Sequence, residues 1–80
     1  PIYDWIPNKI DQLEHLLLRL NFLKEYFSSK ELQFIFDSVR INKKFAKPLW
    51  HIIFFTSWYF VNIKKIEKKG NFFDVISRHV

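Results

Sequence analysis

The chain has 80 residues, of which 49% are hydrophobic and 20% aromatic, and its formal net charge is +5. So large an apolar fraction excludes a disordered tail, which lacks the surface needed to offset chain entropy. The absence of cysteine excludes a disulfide scaffold and a thiolate zinc site, and the single glycine excludes a glycine-rich phosphate loop. This length allows one domain, residues 1–80. Because the chain begins with Pro1 and contains no Met, we expect it to be a segment of a larger protein.

An amphipathic helix is predicted from about Pro7 to between Leu20 and Phe22. Proline suits an early helical position because its missing N–H has no intrahelical partner there. Apolar side chains recur at steps of three and four while polar side chains fill the opposite side, which predicts one buried face. The apolar positions are Ile6, Ile10, Leu13, Leu16, Leu17 and Leu20.

A second helix is predicted to begin at Ser28 and to end near Arg40. Ser28 and Glu31 have the spacing of a capping box, in which each side chain accepts a hydrogen bond from the backbone N–H of the other residue. Phe27 and Leu32 have the spacing of a hydrophobic staple around the same start. The positions predicted to be buried are Leu32, Ile35, Phe36 and Val39.

A central helix is predicted over about 48–66, with Pro48 in its first turn. Residues 49–63 are apolar nearly all round, which is typical of a buried central helix or a membrane segment. The stretch is shorter than the roughly 20 apolar residues that a membrane span needs. We therefore predict a core helix enclosed by polypeptide around its whole circumference. Its hydroxyls, Thr56 and Ser57, are predicted to bond back to carbonyls one turn earlier.

Basic segments flank this central helix. Residues 41–47 form a connector in which Phe45 and Ala46 are the expected anchors. At the other end, lysines complement the helix dipole, and Gly70 is predicted as the residue that ends the helix. These lysines are Lys64, Lys65, Lys68 and Lys69.

Residues 71–80 form a short fourth element whose type the sequence leaves open. Phe72, Phe73 and Ile76 suit a helical turn, but residues 72–76 would also suit a strand. The predicted fold class is all-α, a small bundle of three helices plus this short C-terminal element.

Little in the sequence points to catalysis, and we predict no catalytic, cofactor-binding or metal-binding residue in the chain. Asp11 and Glu14 lie three residues apart on the solvent side of the first helix, whereas catalytic carboxylates lie in clefts. No two histidines have the i, i+4 spacing that holds a metal ion. We expect His15 to be exposed and His51 to be a hydrogen-bonded core residue. The third histidine, His79, lies far from both in the sequence.

The lysine clusters suggest an alternative, a free-standing basic module that binds nucleic acid or a partner protein. Lysines are suitable phosphate contacts, but no helix shows the Arg, Asn and Gln pattern of a recognition helix. We therefore favour solvated helix ends over nucleic-acid binding. Attachment to a membrane surface through the aromatic helix is a weaker alternative, and the high apolar fraction leaves self-association open.

Several landmarks follow one another in a characteristic order. They are Pro1, then Asp4-Trp5-Ile6, then Tyr26-Phe27-Ser28, then Leu49-Trp50-His51-Ile52-Ile53 with Trp58 after it. Their order and spacing resemble the C-terminal end of the synthetase domain of glutamine-dependent asparagine synthetases, over about residues 1–63.

The resemblance implies a parent protein that makes an acyl-adenylate from ATP and Mg²⁺ and then transfers ammonia released from glutamine. The family's Ser-Gly-Gly-x-Asp-Ser nucleotide loop and its glutaminase cysteine are absent from this chain, and its catalytic Lys and Glu precede the segment that matches Pro1. No family catalytic residue therefore transfers here, and ATP and Mg²⁺ are expected only for the parent.

The role that the resemblance implies for this chain is non-catalytic. The chain would complete the fold of the synthetase domain, with the remainder of that domain as its partner and a cytoplasmic location. Trp5, Trp50 and Trp58 would anchor the terminal helices on one another and on the rest of the domain. Residues 72–80 depart from the family pattern.

Overall fold

The computed structural model describes residues 2–65 and 70–78, with side chains described from Trp5 onward. The described residues form no strand, and their five α-helices are α1 (Ile2–Asn8), α2 (Ile10–Leu17), α3 (Ser29–Ile41), α4 (Ala46–Trp58) and α5 (Phe72–Ser77). Among them α3 contacts both α2 and α4, and α1 contacts α4. The predicted all-α fold is confirmed, and α5 shows that the last element is helical.

The first predicted helix is in fact two helices, separated at Lys9. The backbone of Lys9 lies outside the helical region, with φ −113° and ψ 9°, and its N–H bonds to the carbonyl of Ile6, three residues back, at 3.0 Å. Pro7 lies inside α1 rather than at the start of a helix, where it donates no backbone hydrogen bond. α2 ends earlier than predicted, and a tight turn carries the chain from Leu17 to Leu20. All six apolar positions predicted for this segment are nevertheless buried.

The start of α3 is confirmed. The hydroxyl of Ser28 accepts the N–H of Glu31 at 3.1 Å, and the Glu31 carboxylate accepts the N–H of Ser28 at 3.3 Å. Three of the four predicted core positions on this helix, Leu32, Phe36 and Val39, are buried, whereas Ile35 is only half-buried. The capping box fixes where α3 begins, and the spacing of these side chains fixes which face it buries.

The connector before α4 is a short 3₁₀ turn, Lys43–Phe45. The side chain of Asn42 caps it by accepting the N–H of Lys44 at 3.0 Å. Ala46 is fully buried, as predicted, but the prediction that Phe45 is an anchor is wrong, because its side chain is 53% exposed. Side chains three residues apart eclipse in a 3₁₀ turn, so Phe45 shares the solvent side with Asn42.

The helix predicted over about 48–66 corresponds to α4 and to the π-helical turn, Tyr59–Ile63, that continues it. The N–H of Lys64 bonds to the carbonyl of Tyr59, five residues back, at 3.2 Å. A π turn lets one extra residue fit into the turn without ending the helix. Residue 66 and the lysines after it lie outside the described residues.

Gly70 does not end α4, so that prediction is wrong. The left-handed residue after α4 is Lys65, with φ 56°, and Gly70, with φ 87°, precedes α5. A Cβ at Gly70 would lie 2.6 Å from Oδ2 of Asp74. That carboxylate accepts the N–H of Asn71 at 3.1 Å, and the Asn71 side chain accepts the N–H of Asp74 at 3.0 Å. Glycine is therefore needed here because a second capping box starts α5 close to the backbone.

The prediction that α4 is enclosed on every side is also wrong. The molecule measures 35 × 27 × 17 Å, and its thinnest dimension holds about two layers of helices, each roughly 10 Å across. Phe54 and Trp58 are 58% and 52% exposed, and His51, which we expected in the core, is exposed. Thr56 is fully buried and donates to the carbonyl of Ile52 at 2.8 Å, as predicted.

One arginine joins α2 to α3. Arg40 bonds to Asp11 at 2.7 Å and to Glu14 at 2.6 Å, and lies 3.5 Å from Asp37. The side chain of Gln33 donates to the same Glu14 carboxylate at 3.1 Å. Hydrogen bonds to Glu14 and then Asp11 raise the pKa of Arg40 above its ordinary value. Asp11 and Glu14, which the sequence places on a solvent face, therefore form an ion-pair cluster between two helices.

Replacing Ser28 by Ala should lower the free energy of unfolding by about 1 kcal/mol, because the backbone N–H of Glu31, in the first turn of α3, loses its hydroxyl acceptor. Urea unfolding followed by circular dichroism measures this loss. Ser29→Ala, one residue further along, is the matched control and should change stability by less than about 0.5 kcal/mol. Equal losses in the two variants would contradict the cap.

Replacing Arg40 by Met should lower the free energy of unfolding by about 1 kcal/mol or less, because the cluster is partly exposed to water. A raised pKa in the folded state stabilises that state at every pH below the ordinary arginine pKa, so the loss should persist from neutral to moderately alkaline pH. The loss should shrink in high salt. Arg19→Met, which removes only the contact from Arg19 to His15, is the control. A loss for Arg40→Met that is no larger than that for Arg19→Met would contradict the cluster.

Candidate docking surface

α4 divides its side chains between the core and water. Its buried residues, with one from the π turn, are Ala46, Leu49, Ile52, Ile53, Thr56 and Phe60. On the other side, residues at steps of three and four form one stripe. We call this stripe the outer face of α4, and it consists of His51, Phe54, Trp58 and Val61, all exposed.

A groove runs between α3 and α4 beside the outer face. It has two neighbouring depressions of about 270 and 370 Å³, and both are lined by Ile35 and Pro48. The first depression is completed by Phe34, Ser38 and Phe45, and the second mainly by Phe27, His51 and Phe55. We call the two together the α3–α4 groove. Ser38, near the end of α3, shares the first depression with Phe45, just before α4, whereas Phe27, just before α3, shares the second with Phe55, well along α4. The two helices therefore run antiparallel along the groove.

Aromatic rings extend the groove at its far end. The rings of Tyr26 and Phe55 meet edge to face with their centroids 5.2 Å apart, and Phe55 stacks with Trp58 at 6.4 Å. At the near end, Phe34 is 72% exposed. Isolated exposed apolar side chains are common, but a continuous row of them marks a contact surface.

Two lysines are next in the sequence to residues that line the α3–α4 groove. Lys44 and Lys47 are exposed and next to Phe45 and Pro48 in the sequence. In the part of the chain that the structure describes, neither side chain forms an ion pair. We call Lys44 and Lys47 the basic rim.

The described carboxylates do little to neutralise this rim. Three of them surround Arg40 on the α2 side of α3, and two more are engaged in the capping boxes. These five are Asp11, Glu14, Asp37, Glu31 and Asp74. Within the described residues, Lys44 and Lys47 therefore form no ion pair with any of these five carboxylates.

A second aromatic cluster holds the ends of the chain on α4. Trp5 of α1 meets Trp50 of α4 edge to face at 6.0 Å, and Trp5 also contacts Phe73 of α5 at 5.6 Å. Trp50 in turn contacts Phe54 of the outer face at 4.9 Å. Two of the tryptophans predicted to anchor the helices on one another therefore do so, whereas Trp58 lies largely in water.

A more polar depression of about 340 Å³ lies where the turn after α2 meets the π turn. Tyr59 stacks on Phe22 there at 3.8 Å with the rings nearly parallel. Arg19, Glu25 and Lys64 line it and face solvent. The stacked rings fasten the turn after α2 to the end of α4.

The histidines are not brought together as a site. His15 is exposed and accepts a hydrogen bond from Arg19 at 3.3 Å, with the ring tautomer unassigned. His51 lies in the α3–α4 groove, and His79 lies outside the described residues. Among residues 2–65 and 70–78, no group of three His, Asp or Glu side chains is placed to hold a metal ion.

No family model, curated protein or solved structure matches this chain. Nor does any helix in the described ranges combine the length and apolar character needed to cross a membrane.

The sequence did not predict the outer face of α4 or the α3–α4 groove, although one feature of the sequence points to an exposed apolar surface. The sequence shows that residues 49–63 are apolar all round, and a helix with this pattern in so short a chain has more apolar surface than its own core can cover. This excess of apolar surface is as consistent with an exposed face as with a buried helix. For the Arg40 cluster no such signal exists, because Arg40 and Asp11 are 29 positions apart.

Two phenylalanines on α3 test the division between core and surface. Phe36→Ala should lower the free energy of unfolding by about 3–5 kcal/mol, since Phe36 is fully buried. Phe34→Gln should change it by less than about 0.5 kcal/mol, because Phe34 stands in water. Urea unfolding of both variants measures the difference. A large loss for Phe34→Gln would show that Phe34 serves the fold rather than a contact.

Proposed function

We propose that this chain is the non-catalytic C-terminal helical region of an asparagine synthetase-like, ATP-dependent amidotransferase, and that it completes the fold of the synthetase domain. Its partner is the remainder of that domain, and its location is the cytoplasm. The proposal starts from the ordered landmarks in the sequence and rests on how their side chains pack.

The observation that carries the proposal is the contact between Trp5 and Trp50, at 6.0 Å. Trp5 belongs to the second landmark of the resemblance, Asp4-Trp5-Ile6, and Trp50 to the last. Edge-to-face aromatic pairs at this distance contribute about 0.5–1.5 kcal/mol beyond the area that they bury. Contact between distant landmarks is what packing residues of one structural unit require, and this supports the resemblance over a coincidence of common Leu-Trp pairs.

The outer face of α4 supports the second half of the proposal. Phe54 and Trp58 leave more than half of their side-chain surface in water, and burial of such a side chain is worth about 1.5–3 kcal/mol. Covering by the α/β body of the parent would recover this free energy. The third landmark tryptophan, Trp58, is then an anchor between this region and the rest of the domain.

In this proposal the chemical steps of the reaction belong to the rest of the parent protein. ATP and Mg²⁺ would be held by its nucleotide loop, and none of the 80 residues is assigned a step in the reaction. The contribution of this chain is to cover apolar surface and to hold the end of the domain in place.

The reading frame upstream of Pro1 tests the proposal directly. It should encode, in the same polypeptide, a Ser-Gly-Gly-x-Asp-Ser loop followed by a segment that leads into Pro1. Sequencing the genomic region settles this. A frame that lacks the loop would overturn the proposal.

A second test compares the 80-residue chain with the full-length parent. Trp58→Ser should cost less than about 1 kcal/mol in the chain alone but about 2 kcal/mol or more in the parent, where the side chain would be buried. Thermal and urea unfolding of both forms measure the two losses. Phe36→Ala is the control and should cost the same in each, because Phe36 is already in the core. Equal losses for Trp58→Ser in both forms would contradict docking of the outer face.

A further inference from the structure

We propose that the α3–α4 groove binds an acidic amphipathic helix supplied by a partner protein. This inference goes beyond the proposed function and does not depend on it, because it rests on the α3–α4 groove, whose lining has one residue, His51, in common with the outer face of α4. It would hold for any parent polypeptide.

The length of the groove suits a short helix. Its wall on the α4 side runs from Phe45 to Phe55, about 15 Å at the helical rise of 1.5 Å per residue. The residues that this wall contributes to the two depressions lie on average about five positions apart, or about 7 Å by the same rise, which is close to the roughly 6 Å between side chains at i and i+4 of an occupant. A bound helix of three turns would therefore place one apolar side chain in each depression, on either side of Ile35 and Pro48.

The lining of the groove requires an occupant whose backbone is already hydrogen-bonded. Ser38 offers a hydroxyl, but it donates to the carbonyl of Phe34 at 2.7 Å. His51 is the other polar side chain in the lining. An extended peptide would bury N–H and C=O groups with too few partners, at a cost in free energy. A helix satisfies these groups internally and presents only side chains to the groove.

Charge determines the composition of the occupant. The basic rim, Lys44 and Lys47, has no ion-pair partner among the described residues, and the chain as a whole carries +5. Carboxylates that flank the anchors of a bound helix would pair with these lysines. The net charge would also steer an acidic segment toward the surface and speed its association.

Two other occupants are disfavoured, the first by charge and the second by the shape of the groove. A second copy of the chain would bring its own basic rim and a like net charge to the interface, which opposes association. Single-stranded nucleic acid needs open ring faces on which successive bases stack, whereas Phe27, Ile35 and Pro48 form walls of depressions. Both occupants are distinguishable outcomes of the test below.

The experiment uses the 80-residue chain and synthetic helical peptides of about 14 residues. One peptide carries leucines at i, i+4 and i+7 with glutamates beside them, and a second replaces each glutamate by lysine. Fluorescence anisotropy of the labelled peptides measures binding. The acidic peptide should bind at least about tenfold more tightly than the basic one at low salt, and the ratio should fall as salt is added. Equal affinities for the two peptides would overturn the proposal.

Variants with matched controls locate the site. Phe45→Gln should weaken binding of the acidic peptide at least about tenfold, whereas Phe54→Gln, on the outer face of α4, should leave it within about twofold. Lys47→Glu should weaken binding, whereas Lys9→Glu, between α1 and α2, should not. Unfolding curves confirm that each variant folds. If Phe45→Gln and Phe54→Gln have the same effect, the occupied surface is not the groove.

Two further measurements test the other occupants, a second copy of the chain and single-stranded nucleic acid. Sedimentation equilibrium of the chain alone should show a monomer, and a dimer that Phe45→Gln dissolves would replace the proposal with self-association. A labelled single-stranded oligonucleotide should not displace the acidic peptide. Displacement that Phe45→Gln abolishes would assign the groove to nucleic acid and overturn the proposal.

Discussion

The structure depends on one constraint, which is that 80 residues cannot enclose a helix as apolar as α4. A core has to be covered on all sides, and a molecule only 17 Å thick provides cover on one side of its central helix. Leu49, Ile53 and Phe60 take the covered side. The aromatic side chains that remain must lie at the surface, and they do so together, as a face and a groove, because helical spacing groups them.

The sequence predicted those features whose causes are local. The capping box at Ser28 and Glu31 needs only a hydroxyl and a carboxylate three residues apart, and it forms as expected. The same device at Asn71 and Asp74 was overlooked because its members are an amide and an aspartate rather than the commoner pair. Periodicity likewise predicted the buried face of the N-terminal segment, although it did not predict the break at Lys9, which depends on two backbone dihedral angles rather than on side-chain type.

Features that depend on the whole chain were not predictable in the same way. In α4, hydrophobicity has no period, so nothing in residues 49–63 distinguishes a side chain that faces the core from one that faces water. The position of His51 shows the consequence, since its apolar neighbours suggested burial while the fold places it in a groove. Pairing across the chain is equally hidden, and the Arg40 cluster could only be found once α2 and α3 were placed side by side.

The outer face of α4 and the α3–α4 groove adjoin different parts of the molecule, and this favours a separate partner for each. The outer face is joined through Phe54 and Trp50 to Trp5 and Phe73, so it is continuous with the packing of both chain ends. A body covalently attached to this region would be expected to cover such a surface. The α3–α4 groove is instead bordered by α3 and by lysines that the fold leaves unpaired within the described residues. Because attraction between charges adds more to the rate and specificity of an encounter than to a permanent contact, a basic rim is most useful where the partner arrives from solution.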